Sequence, residues 1–120
     1  MNYLVTGGAG FIGSHFVKML LLEKFNTKPD SVIVLDALTY SGKVWNLKEV
    51  SSLNNFEFVK GNICDAALME KLISKVDVIV NFAAESHVDR SIESSKTFIE
   101  SNVLGVANIL DVLKKYPSCI

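Results

Sequence analysis

Residues 3–13 read Tyr3-Leu4-Val5-Thr6-Gly7-Gly8-Ala9-Gly10-Phe11-Ile12-Gly13. A short apolar strand pattern runs straight into a cluster of glycines, and an apolar helical pattern begins at once behind it. No other stretch constrains the fold as tightly. A strand has to stop, the chain has to turn within a few residues, and a helix has to start with its first N–H groups free. Glycines 8, 10 and 13 satisfy G-x-G-x-x-G. Glycines 7, 10 and 13 satisfy G-x-x-G-x-x-G as well, a spacing that belongs to a narrower group of enzymes. Backbone without Cβ beside a helix N-terminus lets a pyrophosphate approach, so the motif predicts a dinucleotide site.

The flanking sequence supports that reading. Phe11, Ile12, Phe16, Val17, Met19, Leu20, Leu21 and Leu22 form a strongly apolar helix suited to lie on a sheet, and Lys24, Asn26 and Pro29 supply its stop. Val32-Ile33-Val34-Leu35 reads as a second strand that ends in Asp36, 23 residues past Gly13. A carboxylate near that offset hydrogen-bonds the adenosine ribose in dinucleotide folds. It also argues for NAD over NADP: a 2′-phosphate would meet Asp36, and no Arg follows the glycine loop to offset the charge.

The 120 residues suffice for one domain with a core. Net charge is −1 and Lys and Arg form no run, so nucleic-acid binding has no electrostatic support. No apolar stretch reaches membrane-spanning length. The N-terminus enters a strand without a basic leader, so a cytoplasmic protein is expected. Cys64 and Cys119 match no metal spacing and read as reduced, structural thiols.

Further along, strand-like and helical patterns alternate. A loop from Ala37 to Gly42 precedes a predicted short helix over 43–52. Phe56 to Val59 is a third strand, broken by Gly61 and Asn62. Asp65 caps a helix to about Lys75. Val76 to Val80, nearly all β-branched, reads as a central parallel strand covered on both faces. A long helix is predicted over 90–115, ended by Tyr116-Pro117, and Cys119-Ile120 is placed to begin a fifth strand. The alternation predicts an α/β fold, a Rossmann-type doubly wound parallel sheet truncated after about four strands, in the order 3-2-1-4. The crevice between strands 1 and 4 is the switch point where dinucleotides bind.

After the fourth strand the chain reads Asn81-Phe82-Ala83-Ala84-Glu85-Ser86-His87-Val88-Asp89-Arg90-Ser91. Taken residue by residue, this is a polar loop with Asp89 as a helix cap. Taken together with Thr6 to Ser14 and with Asp36-Ala37-Leu38-Thr39-Tyr40-Ser41-Gly42, it resembles the extended short-chain dehydrogenases. Among these it is similar to the dTDP-glucose 4,6-dehydratases. The resemblance runs over essentially the whole chain, including Phe98 to Gly105.

The resemblance implies the following roles. Gly7, Gly10 and Gly13 form the pyrophosphate turn, followed by Phe11 and Ile12. Asp36 takes the ribose hydroxyls, with Ala37, Leu38 and Thr39 beside it. Asn62 and Ile63 lie at the adenine; the family usually has Asp at 62, and Asn can still accept from the adenine amino group. Phe82, Ala83, Ala84 and Glu85 line the nicotinamide side and Ser101 its ribose. Ser86 and His87 face a nucleotide-sugar substrate. The helix over 90–115 forms a homodimer interface.

The family's catalytic pair, Tyr-x-x-x-Lys, does not occur. Four residues after Tyr3, Tyr40 and Tyr116 stand Gly7, Val44 and Ile120. The resemblance therefore implies residues 1–120 to be the N-terminal, NAD-binding part of a dehydratase, inactive alone. A UDP-hexose 4-epimerase of the same superfamily and a non-catalytic NAD-binding module remain the alternatives.

Overall fold

A computed structural model describes residues 1–38, 42–84 and 95–120, the side chains of residues 97, 98 and 101 excepted. Four strands, β1 (Asn2–Thr6), β2 (Ser31–Asp36), β3 (Phe56–Lys60) and β4 (Val78–Asn81), form one sheet in the order β3-β2-β1-β4. All three pairings are parallel. Thr6 stands opposite both Leu35 and Asn81, so β1, β2 and β4 end along one common edge. This is the predicted order, and its break between β1 and β4 lies where the sequence placed it.

Period-two alternation sorts the strand side chains onto two covered faces. Leu4, Ile33 and Leu35 pack against Met69, Leu72 and Ile73 of α2 (Ala66–Ile73) and Ile109 and Val112 of α4 (Gly105–Leu113). Val5, Val32 and Val34 pack against Val17, Leu20 and Leu21 of α1 (Phe11–Leu21) and against Leu47 and Val50. Leu4, Val5, Val17, Val32, Val34 and Met69 are completely buried. Each such side chain contributes roughly 1.5–3 kcal/mol relative to an exposed one. Asp65 caps α2 as predicted, its Oδ1 accepting from the Leu68 N–H at 3.0 Å. Such a cap contributes about 1 kcal/mol.

Several elements differ from expectation. The segment predicted as a helix over 43–52 is one 3-10 turn, Val44–Leu47, followed by further turns. It buries only Leu47 and Val50, too few apolar positions to hold a longer helix against the sheet. The long helix is not uniform. Short α3 (Ser95–Ile99) passes into a π-helical turn (Glu100–Leu104) before α4. Residues 90–94 of the predicted span, and Asp89 just before it, lie outside the described residues. β4 starts two residues later than expected; Val78, Ile79 and Val80 are only partly buried and Asn81 is exposed. Beyond it the Ile120 N–H donates to the Asp77 carbonyl at 2.9 Å and the Ile79 N–H to the Ile120 carbonyl at 2.7 Å. That is a parallel bridge centred on Val78, so the C-terminal residue already pairs with β4.

Candidate functional site at the carboxyl edge of the sheet

The edge where β1, β2 and β4 end gathers most of the described residues that the sequence singled out. β1 and β4 are locked at their tips. The Thr6 hydroxyl is bonded to the Asn81 side-chain carbonyl, and the Phe82 N–H donates to the Thr6 carbonyl at 2.8 Å. The chain then turns at Gly7, whose φ of +68° lies in the left-handed region. A Cβ at Gly7 would stand 2.5 Å from the Ala83 nitrogen and 2.5 Å from the Phe82 carbonyl carbon. A Cβ at Gly13 would run into the Gly7 carbonyl oxygen. These two glycines thus let the first turn of α1 sit directly on the strand ends. Gly10 differs: the nearest protein atom to its Cβ position is the Gly7 oxygen at 3.4 Å. A side chain there is sterically open on the protein's side, which leaves room for a ligand.

Gly10 is also the N-cap of α1, and no side chain bonds the helix start. The first turn carries no acidic residue, while Phe11 and Ile12 are 88% and 69% exposed. An uncapped helix start with open N–H groups and a positive dipole end favours an anion.

Asp36 ends β2 beside this loop, and both its carboxylate oxygens are held. Oδ2 accepts from the Ala9 N–H at 2.9 Å and Oδ1 from the Leu38 N–H at 2.8 Å. Leu38 adopts φ +55° to deliver that N–H, and Ala37 lies half-buried between the two. Each oxygen keeps a lone pair for a further donor such as a hydroxyl. Gly42 closes over the carboxylate; a Cβ there would stand 2.5 Å from Oδ1. Thr39 lies outside the described residues.

The Ala9 carbonyl receives two donors from the segment after β2, the Lys43 N–H at 3.0 Å and Asn46 Nδ2 at 2.9 Å. Sequence reasoning missed Asn46. No spacing rule connects it to Ala9, 37 residues earlier.

After β3, Asn62 uses its side-chain carbonyl locally, accepting from the Cys64 N–H at 2.9 Å. That occupies one lone pair of the oxygen expected to accept from the adenine amino group, so a further donor there would use the second. Ile63 is buried, and its carbonyl accepts from Asn108 Nδ2 at 2.6 Å. Gly105 makes room for the Ile63 side chain on α4. The Cys64 thiol donates to the Glu100 carbonyl at 3.3 Å. Partial burial, and then the Glu100 carboxylate, push that thiol above its usual pKa. Cys64 and Cys119 are both free, as expected.

On the other side of β1, the Phe82 ring packs on Phe16 with centroids 5.4 Å apart. Ala83 packs on the opposite layer and Ala84 is exposed. Glu85, Ser86 and His87 lie outside the described residues, as does the side chain of Ser101, whose backbone falls in the π-helical turn. A groove at the opposite edge, lined by Asp30, Ser31, Asn54, Asn55 and Lys75, touches none of the predicted positions. Among the described residues no group of His, Cys, Asp and Glu could hold a metal ion, and no helix is long and apolar enough to cross a membrane.

Comparison with known proteins extends this geometry. The chain is 52% identical over 111 residues to a low-salt glycan biosynthesis protein of Haloferax volcanii, covering 92% of this chain and 34% of that protein. It is 48% identical over 120 residues to a dTDP-glucose 4,6-dehydratase of Streptomyces niveus, covering 97% of this chain and 35% of the relative. The crystal structure of a dTDP-glucose 4,6-dehydratase from Streptomyces venezuelae with NAD and TYD bound superposes with a TM-score of 0.93 at 50% identity. That match covers 98% of this chain and 37% of the other. The chain thus spans about a third of the length of the curated relatives it matches. The family model described as GDP-mannose 4,6 dehydratase matches residues 4–119, nearly the whole length, and the chain belongs to that family.

Proposed function

We propose that this chain is the NAD-binding portion, a single domain over 1–120, of a nucleotide-sugar 4,6-dehydratase acting on dTDP-glucose. The observation that carries the reading is the bond from the Ala9 N–H to the Asp36 carboxylate. It couples a ribose acceptor to the glycine loop beside an uncapped helix start, the donor and acceptor set that an adenosine diphosphate moiety requires. The relatives at 48% and 50% identity support a dehydratase over an epimerase. Gly7, Gly10, Gly13, Phe11 and Ile12 would hold the pyrophosphate, Asp36 to Thr39 the ribose, Asn62 and Ile63 the adenine, and Phe82 to Glu85 with Ser101 the nicotinamide half. Ser86 and His87 would face the sugar nucleotide. When bound, NAD supplies a hydride acceptor and donor; these residues orient it. A cytoplasmic location fits this reading.

Calorimetric titration of the chain with NAD and NADP tests it. NAD is expected to bind at least about tenfold more tightly, a difference of 1.4 kcal/mol. Equal or tighter binding of NADP would overturn the assignment of Asp36. The chain given NAD and dTDP-glucose is expected to form no 4-keto-6-deoxy product, because it contains no Tyr-x-x-x-Lys pair.

A second copy of the chain is the proposed partner of the α3–α4 face. Ile99, Val103, Leu104 and Leu110 are all about half exposed along it, an apolar surface that solvent disfavours. Sedimentation equilibrium is expected to give a dimer that Leu110→Glu weakens. An unchanged association constant in that variant would remove this face from the interface.

A further inference from the structure

We infer that Asn46 is a positioning residue for the glycine loop: its side-chain amide fixes the Ala9–Gly10 peptide and so sets the loop in its anion-binding geometry. The inference rests on the dinucleotide reading above for its consequence, but its physical basis is present in the free chain.

Ala9 is fully buried between Gly7 and Gly10, and both its backbone groups are engaged. Its N–H goes to Asp36 Oδ2 at 2.9 Å, and its carbonyl takes Asn46 Nδ2 at 2.9 Å and the Lys43 N–H at 3.0 Å. The other end of the same peptide unit, the Gly10 N–H, donates to the Gly7 carbonyl at 3.2 Å. A planar peptide bonded at both ends cannot rotate without breaking one of these bonds. Gly10 is the N-cap of α1, so this plane sets the direction in which the helix's first N–H groups are presented. Glycine-rich backbone has no side chains to hold it by itself. The restraint has to come from elsewhere, and Asn46 supplies the one side-chain donor to the Ala9 carbonyl found among the described residues.

Asn46 in turn is held. Its own N–H donates to the Lys43 carbonyl at 3.0 Å within the 3-10 turn, and the neighbouring Leu47 is buried against the α1 face of the sheet. The turn that replaced the expected helix therefore presents a donor to the glycine loop.

Two substitutions separate a donor role from mere packing. Asn46→Ala removes the side-chain amide; Asn46→Asp keeps the shape and replaces the donor with a carboxylate facing a carbonyl oxygen. Both are expected to weaken ADP-ribose binding, roughly three- to tenfold for Asn46→Ala and at least as much for Asn46→Asp. Adenosine, which lacks the pyrophosphate, is expected to bind either variant within about twofold of the parent, since Asn46 bonds the loop carbonyl and not Asp36. Trp45, the single tryptophan and 71% exposed one residue away, reports each titration by fluorescence. Asn46→Asp binding ADP-ribose like the parent, or adenosine losing as much as ADP-ribose, would overturn the positioning role.

Amide hydrogen exchange on the ligand-free variants is the independent arm: the Gly10 N–H is expected to exchange faster in both, and unchanged protection would overturn the inference even if NAD does not bind. Should neither variant fold, the unsubstituted chain decides. The Asn46 side-chain amide resonance is expected to exchange slowly and to move on adding ADP-ribose, while that of Asn54 at the far edge stays. An Asn46 amide that exchanges as fast as Asn54's would rule the bond out.

Discussion

Gly7→Val is expected to lower the melting temperature by roughly 10 °C or more and to abolish measurable NAD binding. Two costs add. A non-glycine residue at φ +68° carries a left-handed penalty of roughly 1–2 kcal/mol. The new Cβ would also stand 2.5 Å from the backbone of Phe82 and Ala83, and forcing atoms into a filled site costs roughly 1–3 kcal/mol more. At about 4 °C per kcal/mol for a domain of this size, the sum gives the predicted shift. Backbone rather than a flexible side chain blocks the way, so the tips of β1 and β4 have to part. Gly10→Ala is the matched comparison. Its Cβ meets only the Gly7 oxygen at 3.4 Å, so stability is expected to stay near that of the parent while NAD affinity falls. Thermal melts and titrations of the pair check this; a Gly7→Val protein that melts with the parent would show that the loop does not depend on this turn.

Asp36→Ala is expected to reduce NAD affinity by roughly 100-fold or more. The carboxylate holds two backbone donors, Ala9 and Leu38, through charge-assisted bonds, each of roughly 1.5–3 kcal/mol. Removing it leaves the Ala9 N–H buried without its partner, loosens the loop that receives the pyrophosphate, and deletes the ribose acceptor. Because the same change removes a negative charge from the 2′ position, NADP is expected to lose far less than NAD, so the preference for NAD shrinks. Asp36→Asn, which keeps an acceptor without the charge, is expected to lie between. Calorimetry with both cofactors reads all three proteins. An Asp36→Ala chain that binds NAD within about threefold of the parent would leave Asp36 a structural strand end and nothing more.

Local chemistry was legible where it was dictated by neighbours in sequence. The glycine spacing at 7, 10 and 13 reported a turn with no room for Cβ, and the structure gives the reason atom by atom: Phe82 and Ala83 behind Gly7, the Gly7 carbonyl behind Gly13. The β-branched runs gave the strands, and their alternation with apolar helical patterns gave the order β3-β2-β1-β4. Asp65 was readable as a cap because a cap acts three residues away. Periodicity over-read two segments. Residues 43–52 carry too little apolar surface for the helix expected of them. The pattern over 90–115 conceals the π-helical turn at Glu100–Leu104, where the carbonyl of Glu100 meets the N–H of Gly105 and the thiol of Cys64. An extra residue in one turn leaves the apolar spacing almost unchanged, so a 3.6-residue pattern does not register it.

The sequence by itself determined the fold class, the strand order, the place of the glycine turn and the acid that ends β2, because each depends on propensity, period or spacing within a few tens of residues. Only the tertiary structure decided how that acid is used. It put the Ala9 N–H on Asp36, Gly42 over the carboxylate, Asn46 on the Ala9 carbonyl and Asn108 on the Ile63 carbonyl. The three hydrogen bonds among these join residues 27 to 45 positions apart, through side-chain donors and acceptors that no periodicity encodes. They exist because parallel strands end together at one edge of the sheet, and the loops that follow them have nowhere to satisfy their polar groups except on one another.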